Sequence, residues 1–443
     1  MATYGSIPGV QISTSTGNVS GVTIGRSQYL LLAGVGNSNV TVDPADPVEI
    51  DGRADVDEKF GEGSDVAEAY RNALANGADP DLVRAVRGPT TTVSGDTFAD
   101  VSGTIADTPI LSDTENSDAD AGGDDLDVKL DWSSPPEPPE EGEVNVNPYT
   151  GEFEAEKSEV FFEYQHLEWE DALYSLTGEL TEGEFGVINP LTASSDVGAM
   201  LDGMIEEMRD DMKMVVGIMG AEYNDTADSG RPALDASEFE NTFSSDTMFT
   251  VGPTALAGPD LYATDGSDLT EAGMGLEALG AAAGLFAGNS NTDPVYDSVL
   301  SGVTDLEQDV SRADVTDLRG EYVIPVRDTG AIRLEDNRST YDQEEQGGWE
   351  CDYFRRRIVD LVTVTLFLTA RQQIGGILDG GTVSDVQDAV SVQLSDFVED
   401  GLLEAGEQEV NVFRQDDRTI GMDVVITPLG VAKGADVNLE INA

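Results

Sequence analysis

The fold is decided by "FGVI" (185–188), "DVGAMLDGMIEEMRDDM" (196–212) and "MVVGIM" (214–219). The first and third segments are short apolar runs, which are typical of buried strands, and the second has its apolar residues at helical spacing. A strand, a helix and a strand in this order predict a parallel crossover. We expect residues 156–305 to form an α/β domain, in which "EVFFEY" (159–164) is a further strand and "LTEAGMGLEALGAAAGLFAGNS" is a helix rich in small residues.

A second α/β unit is predicted over residues 25–89. Here "SQYLLLAGV" and "LVRAVRG" read as strands, and "SDVAEAYRNALANG" (64–77) reads as the helix between them. Asp65 is the predicted cap of this helix, and Glu68 lies at the position that completes a capping box. We expect the unit to pack with the core of the central domain.

The segment from residue 90 to residue 155 has a different character. It is rich in Thr, Ser and Asp, and "SSPPEPPEEGE" (133–143) cannot lie inside a sheet because proline lacks the amide donor. We predict an inserted, exposed acidic β domain or loop. Within it, "SDADAGGDD" (117–125) could offer oxygen ligands to calcium, but it lacks the EF-hand spacing, so a solvated acidic loop is favoured.

The rest of the chain predicts an α+β domain over residues 306–434 and an extended arm at each end. The domain contains a helix at 384–400, capped by Ser384, and a hairpin whose strands are "EVNVFR" and "GMDVVIT". Residues 1–24 and 435–443 are the arms, and the second of these alternates apolar and polar residues as a half-buried strand does. The apolar residues of the two arms are Val10, Ile12, Val437, Leu439 and Ile441.

The charge of the chain excludes several classes of partner. The 443 residues include 87 acidic and 23 basic side chains, which gives a net charge of -64. A field of this size repels nucleic acid and anionic membrane surfaces. In molar salt the screening length falls to about 3 Å, so such a surface can still pack closely. We interpret the composition as that of a salt-in, halophilic cytoplasm, with an ordinary acidic bacterial protein as the alternative.

The sequence carries little that points to catalysis or to metal binding. One cysteine, Cys351, and one histidine, His166, leave no basis for a thiolate cage or a zinc site, and His166 reads as a surface residue at the edge of a helix. The stretch "LVTVTLFLTA" (361–370) is about half the length of a membrane span, and the start of the chain lacks the pattern of an export signal. We predict no enzymatic activity, no cofactor, no metal and no membrane insertion.

Two further patterns leave structural and functional readings open. Met200, Met204, Met208 and Met212 could suggest a copper site, but they extend over about 18 Å of helix, so packing in the core is favoured. The dense cationic cluster Arg355, Arg356 and Arg357 should meet carboxylates, either within the fold or on a neighbouring subunit.

In the order of its elements the chain resembles the contractile tail sheath proteins of myovirus-type phages and related injection machines. "IPGVQIST" is similar to the family's Pro-Gly-Val arm, and "VDEKFGEGSDVAEAYRNALANGADPDLVRAVRG" is similar to its Phe-Gly, helix, Asn-Gly and strand pattern. "LRGEYVIPVRDTGAIRLEDNRST" and "WECDYFRRRIVDLV" resemble the stretch before its C-terminal domain. The family's Arg-Thr motif is imperfect here, because Arg338, Ser339 and Thr340 stand at that position.

The resemblance implies a fold and a mechanical function. The fold is a multidomain α/β and α+β arrangement, with a subtilisin-like, non-catalytic sheath domain, an inserted small β domain and a C-terminal domain with exchanged terminal strands. Hexameric rings of the subunit would stack around a tail tube, bind baseplate and tail terminator proteins, and contract to drive the tube through the host envelope. The expected location is the virion tail of a haloarchaeal virus, assembled in the host cytoplasm at high salt.

The resemblance also implies a partner for the terminal arms. Arms of neighbouring subunits would add strands to a hairpin of the C-terminal domain, which is β-augmentation. The donor residues would be Val10, Ile12, Val437, Leu439 and Ile441, and the acceptor residues would be Val410, Val412, Val424 and Ile426. Pairing of each arm with its own subunit is the alternative. Other functions that stay open are the sheath of a non-viral extracellular contractile injection system, a halophilic cell-surface β protein and a halophilic hydrolase.

Overall fold

The computed structural model describes most of the chain, and the bounds of its elements follow. The described residues are 10–11, 23–24, 28–34, 42–105, 110–111, 118–121, 124–130, 138–146, 152–192, 195–221, 245–255, 269–289, 295–303, 323–328, 330–337, 339–340, 352–371, 380–406, 408–414 and 420–429. The helices are α1 (Arg53–Phe60), α2 (Asp65–Ala75), α3 (Trp169–Leu176), α4 (Ser195–Asp210), α5 (Leu269–Gly288), α6 (Tyr353–Arg371) and α7 (Gly380–Glu399). The strands are β1 (Val10–Gln11), β2 (Thr23–Ile24), β3 (Tyr29–Gly34), β4 (Val48–Glu49), β5 (Val83–Arg87), β6 (Thr90–Phe98), β7 (Ser102–Thr104), β8 (Ile110–Leu111), β9 (Asp118–Ala121), β10 (Asp124–Leu130), β11 (Glu143–Val146), β12 (Glu152–Ala155), β13 (Val160–Leu167), β14 (Phe185–Pro190), β15 (Met214–Ala221), β16 (Met248–Ala255), β17 (Val323–Asp328), β18 (Ala331–Asn337), β19 (Glu409–Arg414) and β20 (Ile420–Val425). None of the described helices has the length and apolar character that a membrane crossing requires.

The centre of the fold is an eight-stranded sheet in the order β18-β17-β16-β15-β14-β3-β5-β4. Its six inner strands are parallel, and β4 and β18 pair antiparallel at the two edges. Strands β3 and β14 are buried along their whole length, as expected for continuous apolar strands covered on both faces. The predicted crossover is confirmed, since β14 and β15 pair in parallel on either side of α4 and place Phe185 opposite Met214.

Helix α4 packs the predicted methionine row against this sheet. Met208 is buried with Leu201 and Ile205, and Met200 and Met204 are partly buried against the same core. Helix α4 ends at Asp210, so Met212 lies beyond the helix. The structure therefore confirms that methionines of this row fill the core.

Helix α2 begins one residue earlier than predicted. Ser64, and not Asp65, is the N-cap, because its backbone is extended and its side-chain oxygen accepts a hydrogen bond from the Ala67 amide at 3.3 Å. The predicted capping box does not form. The Glu68 carboxylate pairs with Arg71 instead, and the Ser64 amide donates to the Gly61 carbonyl at 3.3 Å.

Helices α2 and α5 approach each other through small residues. The opposing pairs are Ala69 with Gly280, Ala73 with Gly284 and Gly77 with Gly288. A Cβ built on Gly284 would lie 2.3 Å from both the Cα atom and the carbonyl oxygen of Ala73. Only glycine fits at this position, because the obstructing atoms belong to backbone.

The second sheet has the order β6-β13-β9-β10-β11-β12-β7, with β8 also paired to β13. Strands β6 and β7 are separated by three residues in the chain yet stand at the two ends of this order, so the sheet curls until its ends meet. The rings of Phe98 and Phe153 lie 4.7 Å apart across this closure, and those of Phe153 and Phe162 lie 4.9 Å apart. Aromatic and aliphatic side chains fill the interior of this sheet.

Strand β13 corrects three details of the sequence analysis. It contains all of "EVFFEY" except Glu159 and pairs with β6 from Phe98 to Thr90, so it belongs to the second sheet and not to the central α/β domain. His166 lies on this strand, opposite Thr91, and not at the edge of a helix. Much of the segment 117–125 is strand rather than loop, because Asp118–Ala121 and Asp124–Leu130 form antiparallel partners.

The chain divides into two compact units. One comprises residues 27–288 and 297–351, and the other comprises residues 352–443 with segments 1–26 and 289–296. The second unit therefore begins its main segment at residue 352 rather than at 306, because β17 and β18 complete the central sheet. Its helix α7 starts at Gly380, four residues before the predicted cap.

Candidate strand-exchange site

Strands β19 and β20 form an antiparallel hairpin that stands as a sheet of two strands. Val410 lies opposite Val424, and Val412 lies opposite Met422. The alternation of apolar and polar residues in "EVNVFR" and "GMDVV" sets this register, since paired residues point to the same face. The predicted hairpin is confirmed.

One face of the hairpin is turned toward its own unit. Val412 is only 5% exposed, and α7 packs against β19. Val410, Val424 and Ile426 are half-buried. An isolated hairpin is marginally stable in water, so this packing is what holds the two strands in place.

The β18 edge of the central sheet is covered within the chain. The segment at residues 297–300 runs along β18: the Asp297 amide donates to the Leu334 carbonyl at 2.7 Å, and the Leu300 amide donates to the Ile332 carbonyl at 2.8 Å. The curled second sheet brings its two ends together. Covered or closed edges of this kind keep a sheet from pairing with other chains.

The hairpin differs from both of these sheets. Among the described residues, no third strand pairs with β19 or β20 along their length. Only its base is extended, where the Glu404 amide donates to the Thr427 carbonyl and the Leu429 amide donates to the Leu402 carbonyl, both at 2.9 Å. The hairpin therefore presents backbone donors and acceptors that can receive an added strand.

The structure places only part of the predicted exchange residues. Val410, Val412 and Val424 lie on the hairpin strands, and Ile426 follows β20 directly. Val10 lies on β1, opposite Ile24 of the same chain. Ile12, Val437, Leu439 and Ile441 fall outside the described residues. Exchange requires a second copy of the chain, so it stays a prediction.

The solvent face of the hairpin has one feature that the sequence analysis missed. Phe413 lies opposite Gly421, and a Cβ on that glycine would come within 2.5 Å of the Phe413 ring. The ring thus lies over the backbone of the partner strand, where an aromatic residue shields a glycine. The signal was available in the sequence, because an aromatic and a glycine stand at equivalent positions of the two predicted strands.

The arginine cluster lies in the first turn of α6. The Asp352 carboxylate caps this helix by accepting hydrogen bonds from the Phe354 and Arg355 amides, at 3.0 Å and 3.4 Å. Arg355 is half-buried and forms no ion pair with any other residue in the described part of the chain.

The other two arginines pair within the subunit. Arg356 Nε lies 3.1 Å from Asp360 Oδ1, and an Arg357 guanidinium nitrogen lies 3.3 Å from Asp360 Oδ2. Arg357 is 1% exposed, and its Nε also donates to the Tyr353 hydroxyl at 3.2 Å. The buried Asp360 carboxylate therefore has two guanidinium partners, and a buried charge requires such pairing.

Two carboxyl groups elsewhere have perturbed acidity because they are buried. Burial raises the pKa of Asp65 well above its usual range, although a backbone hydrogen bond opposes the shift. Burial also raises the pKa of Asp202, and the Ser245 and Thr247 hydroxyls partly offset this. Within the described ranges, no three His, Cys, Asp or Glu side chains come together as metal ligands.

Comparisons with known proteins give a consistent result for the fold. No protein-family profile matches the chain, and no curated protein sequence matches it. Solved structures do. The helical sheath of the anti-feeding prophage in its contracted state matches with a TM-score of 0.54 at 14% identity, covering 99% of each chain. A sheath tail protein from Desulfitobacterium hafniense matches with a TM-score of 0.53 at 12% identity, over 95% of this chain and 100% of that one.

A third match comes from another contractile machine. The sheath complex of the extracellular contractile injection system PVC, also in its contracted state, matches with a TM-score of 0.51 at 12% identity, over 99% of this chain and 98% of that one. The chain therefore has the mixed α/β fold of contractile sheath proteins over almost its whole length.

Proposed function

We propose that this chain is the structural subunit of a contractile tail sheath. Hexameric rings of the subunit stack around a tail tube and contract to drive the tube through a host envelope. The observation that carries the proposal is the open hairpin β19–β20 within a sheath-type fold. No further described strand pairs with β19 or β20 along their length, and β-augmentation by a second copy would satisfy the backbone groups of the hairpin.

The sequence of the C-terminal arm fits this acceptor. In residues 435–443, Val437, Leu439 and Ile441 alternate with polar residues. A strand with this pattern, added in register, extends the half-buried row of Val410 and Val424 on one face. Its polar residues then join Asn411 and Asp423, which are exposed on the other face.

The proposed mechanical role depends on terminal strands that join the folded bodies of neighbouring subunits. Main-chain hydrogen bonds hold the arm to the neighbour, while the chain between arm and body lets the bodies rotate into a second packing. The free energy released on contraction is the difference in free energy between the contacts that subunits make before and after the bodies rotate. This role requires no active site, no cofactor and no metal, and its partners are the subunit itself, the tube, the baseplate and the tail terminator.

The net charge of the chain supports a proposal for the particle that carries the sheath. A net charge of -64 opposes self-assembly in dilute buffer, whereas molar salt shortens the screening length to about 3 Å. We therefore propose that the subunit belongs to the tail of a haloarchaeal virus, assembled in a high-salt host cytoplasm. The sheath of an extracellular contractile injection system is the second candidate, which the matches to the anti-feeding prophage and PVC sheaths favour.

The experiment is direct. Purified protein at high concentration in about 3 M salt, where the screening length is below about 3 Å, should form rings or tubes in negative-stain electron micrographs. The matched control is the same protein at low salt, where we expect fewer assemblies. Protein that stays monomeric at every salt concentration contradicts the proposal.

A further inference from the structure

The first 25 residues carry no charged side chain. The segment from Met1 to Gly25 contains no Asp, Glu, Lys, Arg or His, although 25% of the chain is charged. The other arm is different: residues 435–443 contain Asp436 and Glu440 and no cation. The two segments that are proposed to bind the hairpin therefore differ in charge.

The acceptor is acidic. Residues 402–429 contain six acidic side chains against two arginines. Glu404, Glu409 and Asp423 are exposed on the strands and at the base of the hairpin. An acidic donor strand meets repulsion there that salt screens, since the screening length falls from about 10 Å at 0.1 M to about 3 Å at 1 M. An uncharged donor strand has no net charge on which this repulsion can act.

We propose that the uncharged N-terminal segment of a second copy binds the β19–β20 hairpin with an affinity that does not depend on salt. The acidic C-terminal segment binds the same hairpin only when salt screens the repulsion between their carboxylates. This inference rests on the proposed strand exchange and adds its regulation. A drop in ionic strength then releases the C-terminal joint while the N-terminal joint still tethers neighbouring subunits.

The test uses assembled full-length protein and amide hydrogen exchange of β19 and β20 across a salt series. Leu439→Pro removes a backbone donor from the C-terminal segment, and Val10→Pro removes one from the N-terminal segment. In Leu439→Pro, we expect the protection of β19 and β20 amides from exchange to stay the same at every salt concentration. In Val10→Pro, we expect this protection to fall as the salt concentration is lowered.

Two charge variants test the same claim without proline. Gln11→Glu is made both in Leu439→Pro and in the otherwise unchanged chain. It should make binding of the N-terminal segment salt-dependent, and one added charge should lower its binding constant at low salt by about 1.4- to 5-fold. Glu440→Gln should restore C-terminal binding at low salt by a similar factor. Leu439→Asn, which keeps the amide, is the control for Leu439→Pro.

The possible results separate the two claims. A hairpin that gains no protection on assembly at any salt overturns the strand exchange itself. Protection that depends equally on salt in Val10→Pro and Leu439→Pro overturns only the inference. If the proline variants do not assemble, the charge variants decide: no change in salt dependence with either Gln11→Glu or Glu440→Gln overturns the inference.

Discussion

Replacing Gly284 with alanine tests the contact between α2 and α5. The added Cβ would lie 2.3 Å from the Ala73 Cα and carbonyl oxygen, and backbone atoms cannot rotate away as a side chain can. Helix α5 must shift, and such overpacking costs about 1–3 kcal/mol. The better helix propensity of alanine returns about 0.5–1 kcal/mol. We therefore expect a net loss of up to about 2 kcal/mol in the free energy of unfolding.

The matched control is Gly203→Ala on α4. Nothing lies within 4 Å of a Cβ at Gly203, which is exposed, so this change should gain about 0.5–1 kcal/mol. Urea unfolding of unassembled protein at fixed salt measures both, with the slope of the transition as a check that both remain two-state. Equal stability of Gly284→Ala and Gly203→Ala would show that the helices do not approach as closely as the structure has them.

Two further predictions concern buried charge. Burial raises the pKa of Asp65 in the folded state, so its favourable contribution is present below about pH 4 and is lost as the pH rises through the folded-state value. Asp65→Asn should therefore raise the melting temperature at pH 7 and lose this advantage in acid, and a gain that is equal at both pH values would contradict the reasoning. Arg357→Met should cost about 1–3 kcal/mol, because it removes one of the two guanidinium partners of the buried Asp360 carboxylate while Arg356 keeps its contact at 3.1 Å. Arg355→Met, beside it on the same turn, should change the free energy of unfolding by no more than about 0.5 kcal/mol, and equal losses in chemical denaturation would show that the contact between Arg357 and Asp360 does not stabilise the fold.

Where local pattern and tertiary contact agree, the sequence was sufficient. The apolar runs at 185–188 and 214–219 form parallel strands, as is typical of apolar segments buried on both faces of a sheet. Alternation and the intervening turn residues predict the hairpin, and the structure adds its register, with Val410 opposite Val424. These features depend on neighbours that are close in the chain.

Features that depend on distant partners were missed. The residues of β13 alternate as a strand, but the choice of β6 as partner is made by the closure of the second sheet around Phe98 and Phe162. The role of Gly284 depends on Ala73, more than 200 positions away in the chain. Its sequence signal is the four-residue spacing of Gly280, Gly284 and Gly288, which is common where helices pack closely.

In the candidate site, too, contacts between residues close in the chain could be predicted from the sequence, and contacts with distant partners could not. The pairing of Arg357 with Asp360 lies within one helical turn, so spacing of three residues could have favoured the internal reading. The identity of the strand that completes the hairpin lies on another molecule, and no pattern within one chain distinguishes a neighbour's arm from its own.

The most direct test is a cryo-electron microscopy reconstruction of the particle assembled at high salt, traced far enough to follow both chain ends. We predict that residues 8–14 and 437–442 lie as added strands on β19–β20 hairpins of adjacent copies. A reconstruction in which both segments return to the hairpin of their own chain contradicts the account.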